Sequence, residues 1–407
     1  MNEVNDEVSK YPNTQMDNVG RWRRVLAKTA LEGCPTAIPH KVAQPSKAVV
    51  GMHPFRVSKL ALQISLGIWV FGYFVIPPPV VADDGAPELT VETSSAINKG
   101  LEFLLTVQKE DGSWDSNGEG GHSVGITSLS LMAFMGNAHF PGFGPYGEEL
   151  DRGMKWLLGI ARESPSGLLA SPHGGQAMYE HGLATLALSE IWGMARDPED
   201  DDAAQMALER AVDVILRSQN PGGGWRYQPQ SDNGQDTSCT MTVFHALASA
   251  RQAGIAVPNE TISKVLKFLK SAQNADSGGF VYVPGGNKTT PSVPCTAGGA
   301  YIAQLIGERD TEMVNSALRY LKGQAPKVFE NMHHYYYGHY YAIQAMVQAG
   351  DDEYAKWYPQ IRDALLSKQS SDGSWTKGSR FGGASVATPM SVIILSTPHR
   401  YIPIYQR

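Results

Sequence analysis

The sequence predicts an all-α protein, an (α/α)6 barrel (α-α toroid) of six helix-pair repeats, and three observations predict it. A segment Gln-x-x-x-Gly-x-Trp recurs at Gln108–Trp114, Gln219–Trp225 and Gln369–Trp375, and a fourth copy, Gln273–Phe280, is stretched by one residue and carries Phe for Trp. The stretch before each copy shows amphipathic helical periodicity, and the stretch after it is apolar almost all round. Punctuation at a fixed period marks a fold built from copies of one unit.

The elements follow in order. Outer helices are expected over 96–107, 149–161, 203–218, 260–272, 311–323 and 357–368. In these, apolar residues recur at helical spacing, as in Leu208, Ala211, Val212 and Ile215, or Val314, Ala317, Leu318 and Leu321. Their other faces carry Lys, Arg, Asp and Glu and belong against solvent. Inner helices are expected over 122–136, 176–194, 236–250, 294–306, 335–349 and 383–395, which have few charges and must be buried on every side. Six units of about 52 residues consume nearly all of the chain after Ala82, which makes 83–407 one domain. In the recurring loop, Gly supplies the turn after Asp111 and Asp372, Gln can bond carbonyls at the end of the outer helix, and the Trp ring packs between units.

The chain has 407 residues, a net charge of −6, 42% hydrophobic and 18% charged residues. No basic stripe is visible, so no nucleic-acid partner is expected. Residues 1–51 are polar and aperiodic, an unstructured leader or an over-extended start. Residues 52–82 read as a signal peptide: Met52, a basic stretch through Arg56 and Lys59, the apolar run Leu60–Ile76, and cleavage after Ala82. Export to the periplasm or outside the cell follows. The alternative is a retained membrane anchor, with membrane association, although Gln63 and Ser65 interrupt the run. Beyond Ala82 only Cys239 and Cys295 remain, too few for a disulfide scaffold.

In such a barrel the inner helices all begin at one rim. That rim gathers His122, His173, Gln176, Asp236, Cys239, Cys295, His333 and His334, with His181 and His339 a turn or more further in. Converging helix N-termini favour an anion there. Asp236 starts the helix Asp236-Thr-Ser, as a cap, an acid or both. Cys239 and Cys295 are buried small residues, an inter-unit disulfide or, with His334, a metal site that would suit zinc. Of Tyr335, Tyr336, Tyr337, Tyr340 and Tyr341, two or three are expected to face the lumen and the rest the core. His181 is either a base beside Glu180 or a satisfied interior histidine.

The repeated loops resemble those shared by squalene/oxidosqualene cyclases and the β subunits of protein prenyltransferases, over about residues 90–405. Within that superfamily the chain is most similar to planctomycete squalene-cyclase-like proteins. The carriers are Met178-Tyr-Glu-His181, Gly223-Gly-Trp-Arg-Tyr227, Asp236-Thr-Ser, the run Tyr335 to Tyr341 and the ending Tyr401-Ile-Pro-Ile-Tyr405. The resemblance implies an isoprenoid or other apolar small molecule inside the barrel, bound by Tyr179, His181, Trp225, Tyr336, Tyr337 and Tyr340, with Asp236 as the catalytic acid. It also exposes a departure. The acid motif of the cyclases falls on Asn233-Gly-Gln235-Asp236, where the proton-donating position holds Gln235. The zinc motif of the prenyltransferases is altered as well, because Thr237 and Val293 stand two residues before the cysteines. The expectation is an isoprenoid-handling enzyme with a degenerate acid motif; the alternative is a non-catalytic exported toroid that binds a lipid or a protein.

Overall fold

The computed structural model describes residue 87 and residues 89–406, apart from 117–122, 173–174, 232–233, 287–288, 326, 331, 333 and 378–381. The proposed leader and signal peptide lie outside the described residues. Among the described residues no helix is long and apolar enough to cross a membrane.

The expected helix pairs are all present. α1 (Val91–Thr106) and α2 (Ser123–Met135) form the first pair, and α3 (Gly147–Glu163) and α4 (Ala177–Ile191) the second. α5 (Pro198–Arg217) with α6 (Thr237–Ala253), and α7 (Asn259–Ala272) with α8 (Val293–Ile306), follow. In the fifth, α9 (Glu312–Gly323) leads through the one-turn α10 (Lys327–Glu330) to α11 (Tyr335–Ala349); α12 (Asp351–Lys368) and α13 (Gly383–Leu395) complete the sixth. Among the described residues there is no β-strand, only isolated bridges such as Trp225 with Asp236. Three outer helices begin about a turn earlier than their apolar periodicity suggests. Their first turns are polar: Glu199, Asp200 and Asp201 open α5, and Asp351, Asp352 and Glu353 open α12. Carboxylates there complement the helix dipole, so the helix extends beyond its apolar stripe.

The second helices form a closed inner ring. α2 packs on α4, α4 on α6, α6 on α8, α8 on α11, α11 on α13, and α13 returns to α2. Each inner helix also leans on the outer helix of the next unit, and α13 leans on α1. All but one of the residues of α2 are buried, as the lack of charge predicted.

The recurring loop is the joint of this ring. The Trp amide donates to a buried threonine on the inner helix, Trp114 to Thr127 Oγ1 (2.9 Å), Trp225 to Thr240 Oγ1 (3.0 Å) and Trp375 to Thr388 Oγ1 (3.1 Å). The indole Nε1 donates back to its own outer helix, as from Trp225 to Ile215 O at 2.9 Å. The glutamine reaches further than its own helix end. Gln108, Gln219 and Gln273 donate to Glu149 O, Thr261 O and Met313 O in the first turn of the next outer helix, at 2.8, 3.1 and 2.8 Å. Gln369 makes the same bond to Ala96 O of α1 at 2.8 Å, which seals the last unit to the first. The glycine is required twice over. Gly223 has φ +100°, and a Cβ on it would lie 2.0 Å from Lys264 O; Gly373 has φ +89° and a Cβ would lie 2.3 Å from Lys99 O.

Candidate functional site

The inner ring encloses a cavity of about 770 Å³, within the range of small-molecule sites. All six inner helices border it, and the loops at their N-terminal ends form its mouth. At the opposite end the chain terminus folds beneath the lumen. Ile404 O and His245 Nε2 both lie within hydrogen-bond distance of the Tyr301 hydroxyl (3.1 and 3.2 Å), and the Tyr340 and Tyr405 hydroxyls pair at 2.7 Å. Burial pushes the His245 imidazole down to about 3, so it is neutral in this aromatic floor.

One shared register places much of the cavity wall. Four inner helices carry the buried threonine that receives the loop amide: Thr127, Thr240, Thr296 and Thr388. In α4 and α11 the same position holds His181 and His339. Residues two before and two after this position lie four apart, on one helix face. They border the cavity as Gly125 and Leu129, Tyr179 and Leu183, Ser238 and Thr242, Tyr337 and Tyr341, and Val386 and Met390, while Pro294 does so from α8. The second residue after three of the four loop aromatics borders the mouth in the same way, as Ser116, Tyr227 and Tyr282.

This register corrects two expected ligand contacts. His181 does not reach the cavity. Its Nδ1 accepts from Leu169 N at 3.0 Å and its Nε2 donates to Ala211 O at 3.0 Å, so one ring does the work of both the threonine and the glutamine in a unit that lacks the loop motif. Burial holds it down to about 4, and it is neutral. Trp225 is buried between helices as the loop's structural indole and does not border the cavity either. Tyr179, Tyr336, Tyr337 and Tyr340 do border it. The tyrosine run exceeds expectation, because all five members line the space: the helix starts at the mouth, so Tyr335 and Tyr336 face the rim while Tyr337, Tyr340 and Tyr341 face the wall. Their hydroxyls are paired within the protein. Tyr179 donates to Ser238 Oγ (2.6 Å), Tyr337 to Ser238 O (2.9 Å) and Tyr341 to Thr242 Oγ1 (3.1 Å), which turns ring surface rather than polar edges to a ligand.

Asp236 is the N-cap of α6. Its Oδ1 accepts from Cys239 N at 2.8 Å, while Oδ2 is buried without a hydrogen-bond partner. Ser292 caps α8 in the equivalent place, accepting from Cys295 N at 3.4 Å. Burial, opposed by the Cys239 amide and the Arg226 charge, pushes the Asp236 carboxyl up to about 6. The carboxyl lies outside the cavity wall, although Ser238 and Tyr282 beside it are part of that wall. Gln235, at the position where the cyclases hold their proton donor, accepts from Gly224 N at 2.9 Å and steadies the loop.

The suggested zinc set does not fit. Cys239 donates its thiol to Arg226 O at 3.0 Å and is absent from the lumen, whereas Cys295 and His334 border it. Burial pushes the Cys295 thiol up to about 11 and the Cys239 thiol up as well, the opposite of what a thiolate ligand needs. Among the described residues no group of three or more His, Cys, Asp or Glu could hold a metal ion, and both cysteines are free thiols. His122, His173 and His333 lie outside the described residues.

The carboxylate that does reach the cavity is Glu180, which is only 3% exposed. Its Oε2 accepts from Ser171 Oγ (2.6 Å) and Ser171 N (3.2 Å). The clue in the sequence is its company: Glu180 and Glu190 are the only acidic residues in the six inner helices.

No family model matches the chain, and no curated protein matches it in sequence. Solved structures do match. Type II terpene cyclase MstE from Scytonema is 16% identical, covering 78% of this chain and 100% of that one, with a TM-score of 0.49. The GH76A α-1,6-mannanase from Salegentibacter sp. HEL1_6 is 9% identical over 76% and 99% of the two chains, with a TM-score of 0.53. D-mannose isomerase is 13% identical over 78% and 98%, with a TM-score of 0.52. What the chain shares with the mannanase and the isomerase is the fold, the α-α toroid expected from its repeated loops.

Proposed function

We propose that the protein is an isoprenoid-handling toroid enzyme whose lumen takes an apolar, unsaturated chain. The observation that carries this reading is the lining: eight tyrosines (Tyr179, Tyr227, Tyr282, Tyr335, Tyr336, Tyr337, Tyr340 and Tyr341) with Ile126, Leu129, Leu183, Val386 and Met390. Such faces hold isoprene units by dispersion and stabilise positive charge on carbon through the ring quadrupole. A glycosidase role is less well supported, since that chemistry uses two carboxylates across a bond and Glu180 alone among the described residues borders the cavity. Asp236 is the acid proposed for this reading: its raised value keeps a proton available below about pH 6. Its position behind the wall favours the second reading, a toroid that binds such a chain without turning it over. Export ahead of Asp83 belongs to both readings.

The test is calorimetric titration of the chain from Asp83 onward with farnesol and geranylgeraniol, then incubation with both and analysis of the products. Binding with a new cyclic product supports the enzyme. Binding with no product supports the binding toroid, and binding of neither overturns the isoprenoid reading.

A further inference from the structure

Resting on that reading, we infer that the lumen selects a chain bearing a hydrogen-bond donor, a prenyl alcohol, over one whose oxygen can only accept, such as the aldehyde or an ether. The feature that carries it is a belt of five hydroxyls along part of the wall: Tyr179 from α4, Ser238 and Thr242 from α6, and Tyr337 and Tyr341 from α11, all bordering the cavity. α8 stands between α6 and α11 in the ring and contributes only Pro294 and Cys295 to the described lining, so the two α11 tyrosines reach across it to α6. α2 and α13, by contrast, offer Gly125, Ile126, Leu129, Val386 and Met390, none with a polar side chain.

Each hydroxyl holds one proton and two lone pairs, so the belt carries far more acceptor sites than donors. All five protons have a partner inside it. Tyr179 donates to Ser238 Oγ (2.6 Å), Tyr341 to Thr242 Oγ1 (3.1 Å) and Tyr337 to the Ser238 carbonyl (2.9 Å). The Ser238 and Thr242 hydroxyls lie 3.2 and 3.0 Å from the Tyr337 oxygen, and both can donate to it. Tyr337 is then saturated. Unfilled lone pairs remain on Tyr179, Tyr341, Ser238 and Thr242, and no proton is spare. A ligand hydroxyl can donate to one of these oxygens without disturbing any bond. A carbonyl or ether oxygen set against the belt meets only lone pairs, and it must pull a proton away from a bond already made.

The experiment titrates farnesol, farnesal and farnesyl methyl ether calorimetrically into the wild-type chain, the Ser238→Ala and Thr242→Val variants and the double variant, with circular dichroism to check folding. Wild type is expected to bind farnesol about fivefold tighter than the aldehyde or the ether, although the alcohol is the costliest of the three to remove from water. Ser238→Ala strips Tyr179 of its acceptor and Thr242→Val strips Tyr341 of its own, so each change frees a phenol proton for the lumen. The preference should therefore fall to about unity in each single variant and reverse in the double variant, where the aldehyde binds tighter. A mere loss of packing would weaken all three probes together. Equal affinity of wild type for the three probes overturns the inference and leaves the isoprenoid reading standing, as does a preference for farnesol that survives in the double variant. Should the variants not fold, the wild-type comparison decides alone. If none of the probes binds wild type, the isoprenoid reading itself fails and this inference with it.

Discussion

Replacing Gly223 by alanine separates the two demands placed on the loop glycine. Its φ of +100° costs an L-residue about 1–2 kcal/mol. The new Cβ would also sit 2.0 Å from Lys264 O and 2.5 Å from Lys264 C, backbone atoms of α7 that cannot rotate away. The loop must therefore retreat from the next unit, stretching the bonds from Gln219 Nε2 to Thr261 O and from Trp225 N to Thr240 Oγ1, now 3.1 and 3.0 Å. Overpacking of this kind adds about 1–3 kcal/mol, for a total of about 2–5 kcal/mol. Gly254 supplies the control. It caps α6 at φ +109°, and a Cβ added there would meet nothing within 4 Å, so its alanine variant should lose only the backbone cost, about 1–2 kcal/mol. Urea unfolding of both variants beside wild type measures the gap. Equal losses in the two would refute the claim that the loop glycine exists to let one unit touch the next.

Three further outcomes are expected. His181→Ala leaves Leu169 N and Ala211 O buried without partners and should cost about 2–4 kcal/mol in urea unfolding, with farnesol affinity unchanged; weakened farnesol binding in a folded variant would return His181 to the lumen. The Asp236 carboxyl is raised from 3.8 to about 6 in the folded chain, so the native state binds the extra proton between those values. Stability should therefore fall as pH rises from about 4 to 6, by on the order of 3 kcal/mol relative to Asp236→Asn, and a difference between the two that is flat with pH would count against the shift. Tyr405→Phe removes the hydroxyl pair with Tyr340 in the floor and should cost about 1 kcal/mol, measured by the same unfolding curves.

The architecture was legible because the repeat writes it in two independent ways, the loop motif and the alternation of amphipathic with uncharged helices. The polar first turns of α5 and α12 were not, since apolar periodicity is silent where a helix is held by its dipole and its caps. The site was half legible. Residue type singled out Tyr179, Tyr336, Tyr337 and Tyr340, yet it also drew in His181 and Trp225, whose polar or aromatic character serves the joints between units. What decides is register: the residues two before and two after the loop-bonded threonine face the lumen, and His181 occupies the threonine's own place. Glu180 was passed over beside its histidine neighbour, although an acid in an otherwise uncharged inner helix was the sharper signal. Gln235 shows the converse, a residue noticed for the acid it replaces that turns out to brace a loop.

The bond from Gln369 to Ala96 joins residues 273 apart in sequence, and it sets the order in which the chain can mature. In an open stack of repeats, losing the terminal unit costs one interface, and the remainder stands. Here α13 touches α11, α2 and α1, so a chain that stops short of it leaves both ends of the ring uncovered at once. Until the last unit is synthesised, the first outer helix has no glutamine on Ala96 O and α2 has a bare flank. Contacts of such separation are slow to form, because the whole intervening chain must be in place before the closure is rewarded. Completion is therefore a single late event, and any shortened product of translation or proteolysis that lacks the final helix pair is marked for unfolding from both sides.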